Sequence, residues 1–117
     1  MPWFKVDDGF AVHPKALKAG NAACGLWVRA GSWSMQQLTD GFIPADMLAA
    51  LGGKPAQVRA LIDAGLWVSV DGGWCFHDWE GSNPTRRDVE QQRAEWRERQ
   101  RQAREKARAK GPEEGAS

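Results

Sequence analysis

Apolar residues recur at near-helical spacing between Ala23 and Met35, where Ala23, Leu26, Trp27, Ala30 and Trp33 share one side and Val28 and Met35 add a second. A segment apolar over so much of its surface predicts a central helix, capped by Asn21 and running to about Leu38. Ahead of it, His13-Pro14 places a proline at the first helical position, and Lys-Ala-Leu-Lys-Ala up to Gly20 predicts a helix of barely two turns. The opening run Trp3 to Phe10 predicts a short extended segment at an edge, ending in a turn at Asp7-Asp8-Gly9 where glycine allows positive φ.

Beyond the central helix, Thr39 to Ile43 predicts a turn and a brief extended step. Pro44 then opens a third helix with Met47, Leu48 and Leu51 inward and a stop at Gly52-Gly53. Lys54-Pro55 opens a fourth, with Val58, Leu61 and Ile62 on one face and a stop at Gly65. Two short helices joined by a few residues that include glycine form a helix-turn-helix arrangement. Leu66 to Val70 and Trp74 to Trp79 flank Asp71-Gly72-Gly73, a local hairpin signal. A three-residue loop with Gly73 left-handed gathers Leu66, Val68, Val70, Trp74 and Phe76 on one face; a two-residue loop sets Trp74 and Phe76 opposite the valines. The three-residue loop is the preferred register, leaving Trp67, His77 and Trp79 on the outer face. Residues 1–83 therefore read as mainly α with a small β-hairpin, in the order of a winged helix-turn-helix.

Gly81 to Pro84 is a short linker, and residues 84–110 are rich in Arg, Glu, Gln, Ala and Lys, all strong helix formers. A helix from residue 85 to about 110 would be a rod of roughly 39 Å. At 100° per residue, Arg86, Arg93, Arg97, Arg101, Arg104 and Arg108 fall within an arc of about 80°. Glu95, Glu98 and Glu105 lie elsewhere on the wheel, while Val89, Trp96, Ala103 and Ala107 form a thinner stripe beside the arginines. Residues 111–117 are expected to be disordered.

The net charge of +1 conceals an asymmetry. Through Asn83 the basic residues are Lys5, Lys15, Lys18, Arg29, Lys54 and Arg59, outnumbered by acidic ones to a net −2, whereas the chain from Pro84 onward carries +3. Only the tail is an electrostatic footprint for nucleic acid. Seven Trp and no Tyr concentrate the apolar area in a few large rings. No stretch approaches the roughly 18 apolar residues of a membrane span. No N-terminal apolar run looks like a signal peptide, so Cys24 and Cys75 are expected as reduced thiols in a cytoplasmic protein of a bacterial host cell.

The helix that would enter a major groove presents Lys54, Gln57 and Arg59. That set is small, so most phosphate neutralisation falls to Arg86, Arg93, Arg97, Arg101, Arg104 and Arg108. Trp67, Trp79 and Trp96 are candidate partner-binding rings; Trp67 and Trp79 are expected exposed on the wing, stacking on bases or packing on the N-terminal segment or the tail. Cys75, His77 and Asp78 lack the second ligand pair that a structural zinc needs, so no metal and no cofactor is expected. There is no P-loop, no G-x-S-x-G and no nucleophile with its base, and no enzyme is expected.

The runs Trp3-Phe-Lys-Val-Asp-Asp-Gly-Phe10, His13-Pro-Lys15, Gly25-Leu-Trp-Val-Arg29, Leu38-Thr-Asp-Gly-Phe-Ile-Pro44, Ala64-Gly-Leu-Trp67 and His77-Asp-Trp79 together resemble the N-terminal winged-helix segment of phage replisome-organizer and replication-initiator (DnaD-like) proteins, especially those of actinobacterial phages and mobile elements. The resemblance covers nearly all of residues 3–84, and the Arg-rich continuation resembles the linker helix that follows in those proteins. It implies double-stranded DNA as a partner and recruitment of replication proteins. The chain's length adds a small transcriptional regulator to the expected roles. The alternative expectation is an adaptor that grips a replication or host protein, and a homodimer is compatible with either.

Overall fold

The computed structural model describes residues 2–116, with side chains described through Ala109. The chain divides into two units, Met1–Arg86 and Arg87–Ser117. It is mainly helical, with a small antiparallel sheet and a long C-terminal helix, as the apolar pattern predicts in coarse terms.

Helices α1 (Pro14–Ala19) and α2 (Asn21–Gln37) meet at one residue. Gly20, at φ 85°, closes α1 through its N–H to the Ala16 carbonyl and stands as the N-cap of α2. This backbone conformation is nearly closed to other residues. Asn21, expected as the cap, is instead the first helical residue. The α2 side chains Ala23, Leu26, Trp27, Ala30 and Met35 are buried, while Val28 remains exposed.

Strand β1 (Phe42–Pro44) replaces the start of the expected third helix. Pro44 is extended (φ −60°, ψ 143°), and a proline is tolerated there because it ends an edge strand. Only a 3-10 turn, Ala45–Met47, and further turns fit before Gly52. Met47, Leu48 and Leu51 still pack on the core from this non-α segment. Helix α3 (Pro55–Asp63) follows as expected and buries Val58 and Leu61.

Strands β2 (Trp67–Val70) and β3 (Gly73–Phe76) form the hairpin, and β3 is the centre of a three-stranded sheet ordered β1-β3-β2. The register pairs Val70 with Gly73, Ser69 with Trp74, Val68 with Cys75 and Trp67 with Phe76. The loop therefore has two residues, Asp71 and Gly72, and Gly72 rather than Gly73 takes positive φ (83°). Gly73 serves a different need: β1 runs so close that a Cβ there would overlap the Ile43 carbonyl oxygen. The preferred three-residue loop is thus corrected. Because alternate strand residues face opposite sides, the slip exchanges the faces: Trp67 and Phe76 point to the core, and Val68, Val70 and Cys75 lie on the other side.

A short helix α4 (Trp79–Ser82) completes the first unit. Residues 2–7 form no strand, and Gly9 sits at φ −82°, so the expected glycine-permitted positive φ is absent there. Phe4 nevertheless reaches the core. Its ring stacks on Trp79 (centroids 5.7 Å apart), meets Trp27 edge-on at 5.0 Å, and lies on Gly31, where any side chain would overlap it. Phe10 stacks on Trp27 at 4.4 Å. These rings and Phe76 make an aromatic core whose quadrupoles favour such offset and edge contacts.

The second unit is helix α5 (Arg86–Ala116), 31 residues from its start in the first unit and about 46 Å long at helical rise. It runs past residue 110, where the sequence placed its end. Where disorder was expected over residues 111–117, the helix continues to Ala116, and Ser117 lies outside the described residues.

Candidate nucleic-acid interface

On α3 the exposed charged side chains are those of Lys54, just before the helix, and of Arg59 and Asp63. Gln57 is occupied. Its Oε1 accepts from the Lys54 backbone N–H at 3.0 Å, satisfying a donor at the helix start. The sequence pattern offered Gln57 as a base-reading amide, and the same residue type three positions after a helix cap is equally a capping partner. A contact to a base would have to displace that bond.

A basic residue that the sequence pattern did not single out stands nearby. Arg29, exposed on α2, holds its guanidinium against Gly52, so that a Cβ at position 52 would lie 3.1 Å from Arg29 Nη1. Gly52 is two residues before Lys54. Arg29 and Lys54 therefore bring two cations to the approach to α3. The signal that could have found Arg29 is its place on the polar side of α2, since the domain holds few basic residues.

Trp67 and Trp79 are not on an outer face. They are 1% and 5% exposed, and both indole N–H groups are buried with no hydrogen-bond acceptor among the described residues. Their exposure to a partner is corrected by the hairpin register for Trp67 and, for Trp79, by a left-handed Asp78 (φ 56°) that turns the chain into α4. Of the two packing partners expected for these rings, the N-terminal segment is the one Trp79 meets, through Phe4. His77 lies just past β3 and is exposed, with its N–H donating to the Leu66 carbonyl.

An open groove of about 560 Å³ lies in the first unit, walled by Phe4, Phe10, Trp27, Phe76 and Trp79, with Lys15 among its polar lining. His13, also on this groove, is engaged as the α1 cap through Nδ1, which accepts from the Lys15 N–H. Among the described residues no group of three His, Cys, Asp or Glu is placed to hold a metal ion. Cys24 and Cys75 are free thiols, and burial pushes both above the ordinary thiol range.

On α5 the side chains of Arg93, Arg97, Arg101, Arg104 and Arg108 are all exposed, as is Arg86 at its start. Helical geometry holds them to one side as the sequence spacing requires. Arg101 is engaged: its Nη2 lies 2.5 Å from Glu98 Oε1 one turn earlier. That hydrogen bond, and then the charge behind it, hold the Glu98 carboxyl below its usual range and push Arg101 up. No ion partner is found for Arg93, Arg97, Arg104 or Arg108 among the described residues. Trp96 is 55% exposed on the same helix. Among the described residues no helix is long and apolar enough to cross a membrane. Comparison with family models, curated proteins and solved structures finds no match to this chain.

Proposed function

We propose that this chain is a non-enzymatic winged-helix protein that binds double-stranded DNA, from a phage or mobile element, acting in the bacterial cytoplasm in replication initiation or transcriptional regulation. The winged-helix reading is supported by element order: α2, then β1, a turn segment, α3, and a hairpin whose inner strand pairs with β1. In that layout α3 enters the major groove, and Arg59, Lys54 and the neighbouring Arg29 are the side chains that meet DNA. Gln57 joins them only by leaving its cap.

The observation that carries the proposal is the exposed arginine stripe of α5. Duplex affinity rests largely on phosphate neutralisation with release of counterions. A domain of net −2 supplies little of it, and four arginines on one helical face with no ion partner among the described residues supply it directly. The test is a salt titration of duplex binding by the full chain and by the variant R93Q/R97Q/R104Q/R108Q. The slope of log K against log salt should fall by about 3 to 4, at roughly 0.9 for each phosphate no longer neutralised. An unchanged slope, or no duplex binding by the parent chain, would overturn the proposal.

An adaptor reading has one observation in its favour. The outer side of the sheet carries Phe42, Pro44, Val68, Val70, Gly73 and Cys75 and no polar side chain, with Val68 and Val70 exposed. Apolar surface of this kind marks protein contacts more often than DNA contacts.

A further inference from the structure

We propose that α5 also carries a site for unpaired nucleotides, built from Trp96 and the arginines beside it. Trp96 is 55% exposed, and residues 90–109 around it are exposed throughout. Arg93 precedes it by three positions, and Arg99 and Gln100 follow by three and four, so all three share its face. No ring partner is found for the indole among the described residues. A large apolar ring standing in water between guanidinium groups gains nothing from the helix that holds it.

In a duplex the faces of the bases are stacked on one another and closed to a side chain, so Trp96 adds nothing to duplex binding. An unpaired base offers a face to the indole while its flanking phosphates meet Arg93 and Arg99. Aromatic stacking combined with cationic grip is the general recipe for single-strand binding, and it tolerates any base. The shared ligand chemistry is an unpaired base between two phosphates, in DNA or RNA. The inference rests on the tail arginines being phosphate-binding, as in the proposed function, but it assigns them a second strand state.

The experiment measures binding of labelled oligo(dU), oligo(rU) and a two-strand blunt duplex of equal phosphate number to the full chain, W96A and W96F at one salt concentration. Alanine is the best helix former, so W96A should keep α5 intact, which far-UV circular dichroism checks. Removing the indole should weaken single-strand binding at least fivefold, equivalent to about 1 kcal/mol of stacking. Duplex affinity should be unchanged, and W96F should recover most of the loss. Equal loss for dU and rU assigns the site to any unpaired strand; loss for one alone narrows it to that sugar. Duplex binding with no single-strand binding, or W96A single-strand binding within twofold of the parent, overturns this inference and leaves the proposed function standing. Equal weakening of duplex and single strand also overturns it, since stacking cannot act on a duplex. Binding of neither strand form removes both readings together.

Discussion

The backbone N–H of Lys5 donates to Asn83 Oδ1 at 2.9 Å, joining residues 78 positions apart in the chain. Asn83 is buried, and this bond ties the unstructured N-terminal segment to the end of α4 beside the Phe4–Trp79 stack. The segment has no ladder of its own, so Asn83 and the Phe4 ring are what hold it.

Replacing Asn83 with alanine removes the acceptor of the Lys5 N–H, a loss of about 0.5–1.5 kcal/mol for a part-buried bond. For a domain of this size each kcal/mol lowers Tm by roughly 4–8 °C. N83D keeps an acceptor oxygen and should lose less. Hydrogen exchange at the Lys5 amide should speed up in N83A, and unaltered exchange together with unaltered Tm would show that the bond does not anchor the segment.

Ser34, fully buried on α2, relays a chain of hydrogen bonds into the sheet. Gly41 N–H donates to Ser34 Oγ at 2.8 Å, Ser34 Oγ lies 2.6 Å from Thr39 Oγ1, and the latter donates to the Phe42 carbonyl at 2.7 Å. With Thr39 donating onward, Ser34 must donate to Thr39. S34A strands the buried Gly41 N–H and should lower stability by about 1–3 kcal/mol in urea unfolding. T39V should lower it too, and the double variant should lose less than the two single losses combined, because they share one bond. Strict additivity would show that the hydroxyls act separately.

If the proposed nucleic-acid binding holds, the ion pair between Glu98 and Arg101 gives its affinity a pH dependence. Glu98 titrates below the ordinary carboxylate range, so the pair is intact above that range and dissolves as pH falls through the lowered value. Both groups are solvent-exposed, so the effect falls on charge rather than on folding. E98Q removes an anion and releases Arg101 to phosphate, and should steepen the salt slope by about 0.9. The gap in affinity between the parent chain and E98Q should close as pH is lowered, because every other titratable group is common to both chains. Parallel pH profiles for the two chains would rule the pair out as the cause.

The helices were legible because their punctuation is local: Pro14 and Gly20 bound α1, Pro55 and Gly65 bracket α3, and the α2 core positions fall at helical spacing. The arginine stripe was legible for the same reason, since helical geometry alone fixes which side chains align. The hairpin was legible in place but not in register. Leu66-Trp67-Val68 and Trp74-Cys75-Phe76 are apolar at odd and even positions alike, so alternation cannot choose a face, and one residue of loop length decides it. Trp67 and Trp79 were misplaced by that single ambiguity and by the turn at Asp78. Pro44 was read as a helix start because proline suits both a first helical turn and the end of an edge strand, and only pairing with Gly73 distinguishes them. Gln57 was ambiguous locally, since an amide at that position can cap the helix or read a base, and Arg29 was hidden by a turn folded up against it.

The two-residue loop gives the sheet two walls under unequal constraint. The wall bearing Trp67 and Phe76 is fixed by close packing, so its composition can hardly change without loss of the fold. The wall bearing Val68 and Val70 is answerable only to solvent or to whatever meets it. Threonine at both positions keeps the branched shape that strands favour. Variation accumulated there would alter solubility and associations while the scaffold beneath stayed the same, which makes it the surface on which such a domain can acquire new behaviour.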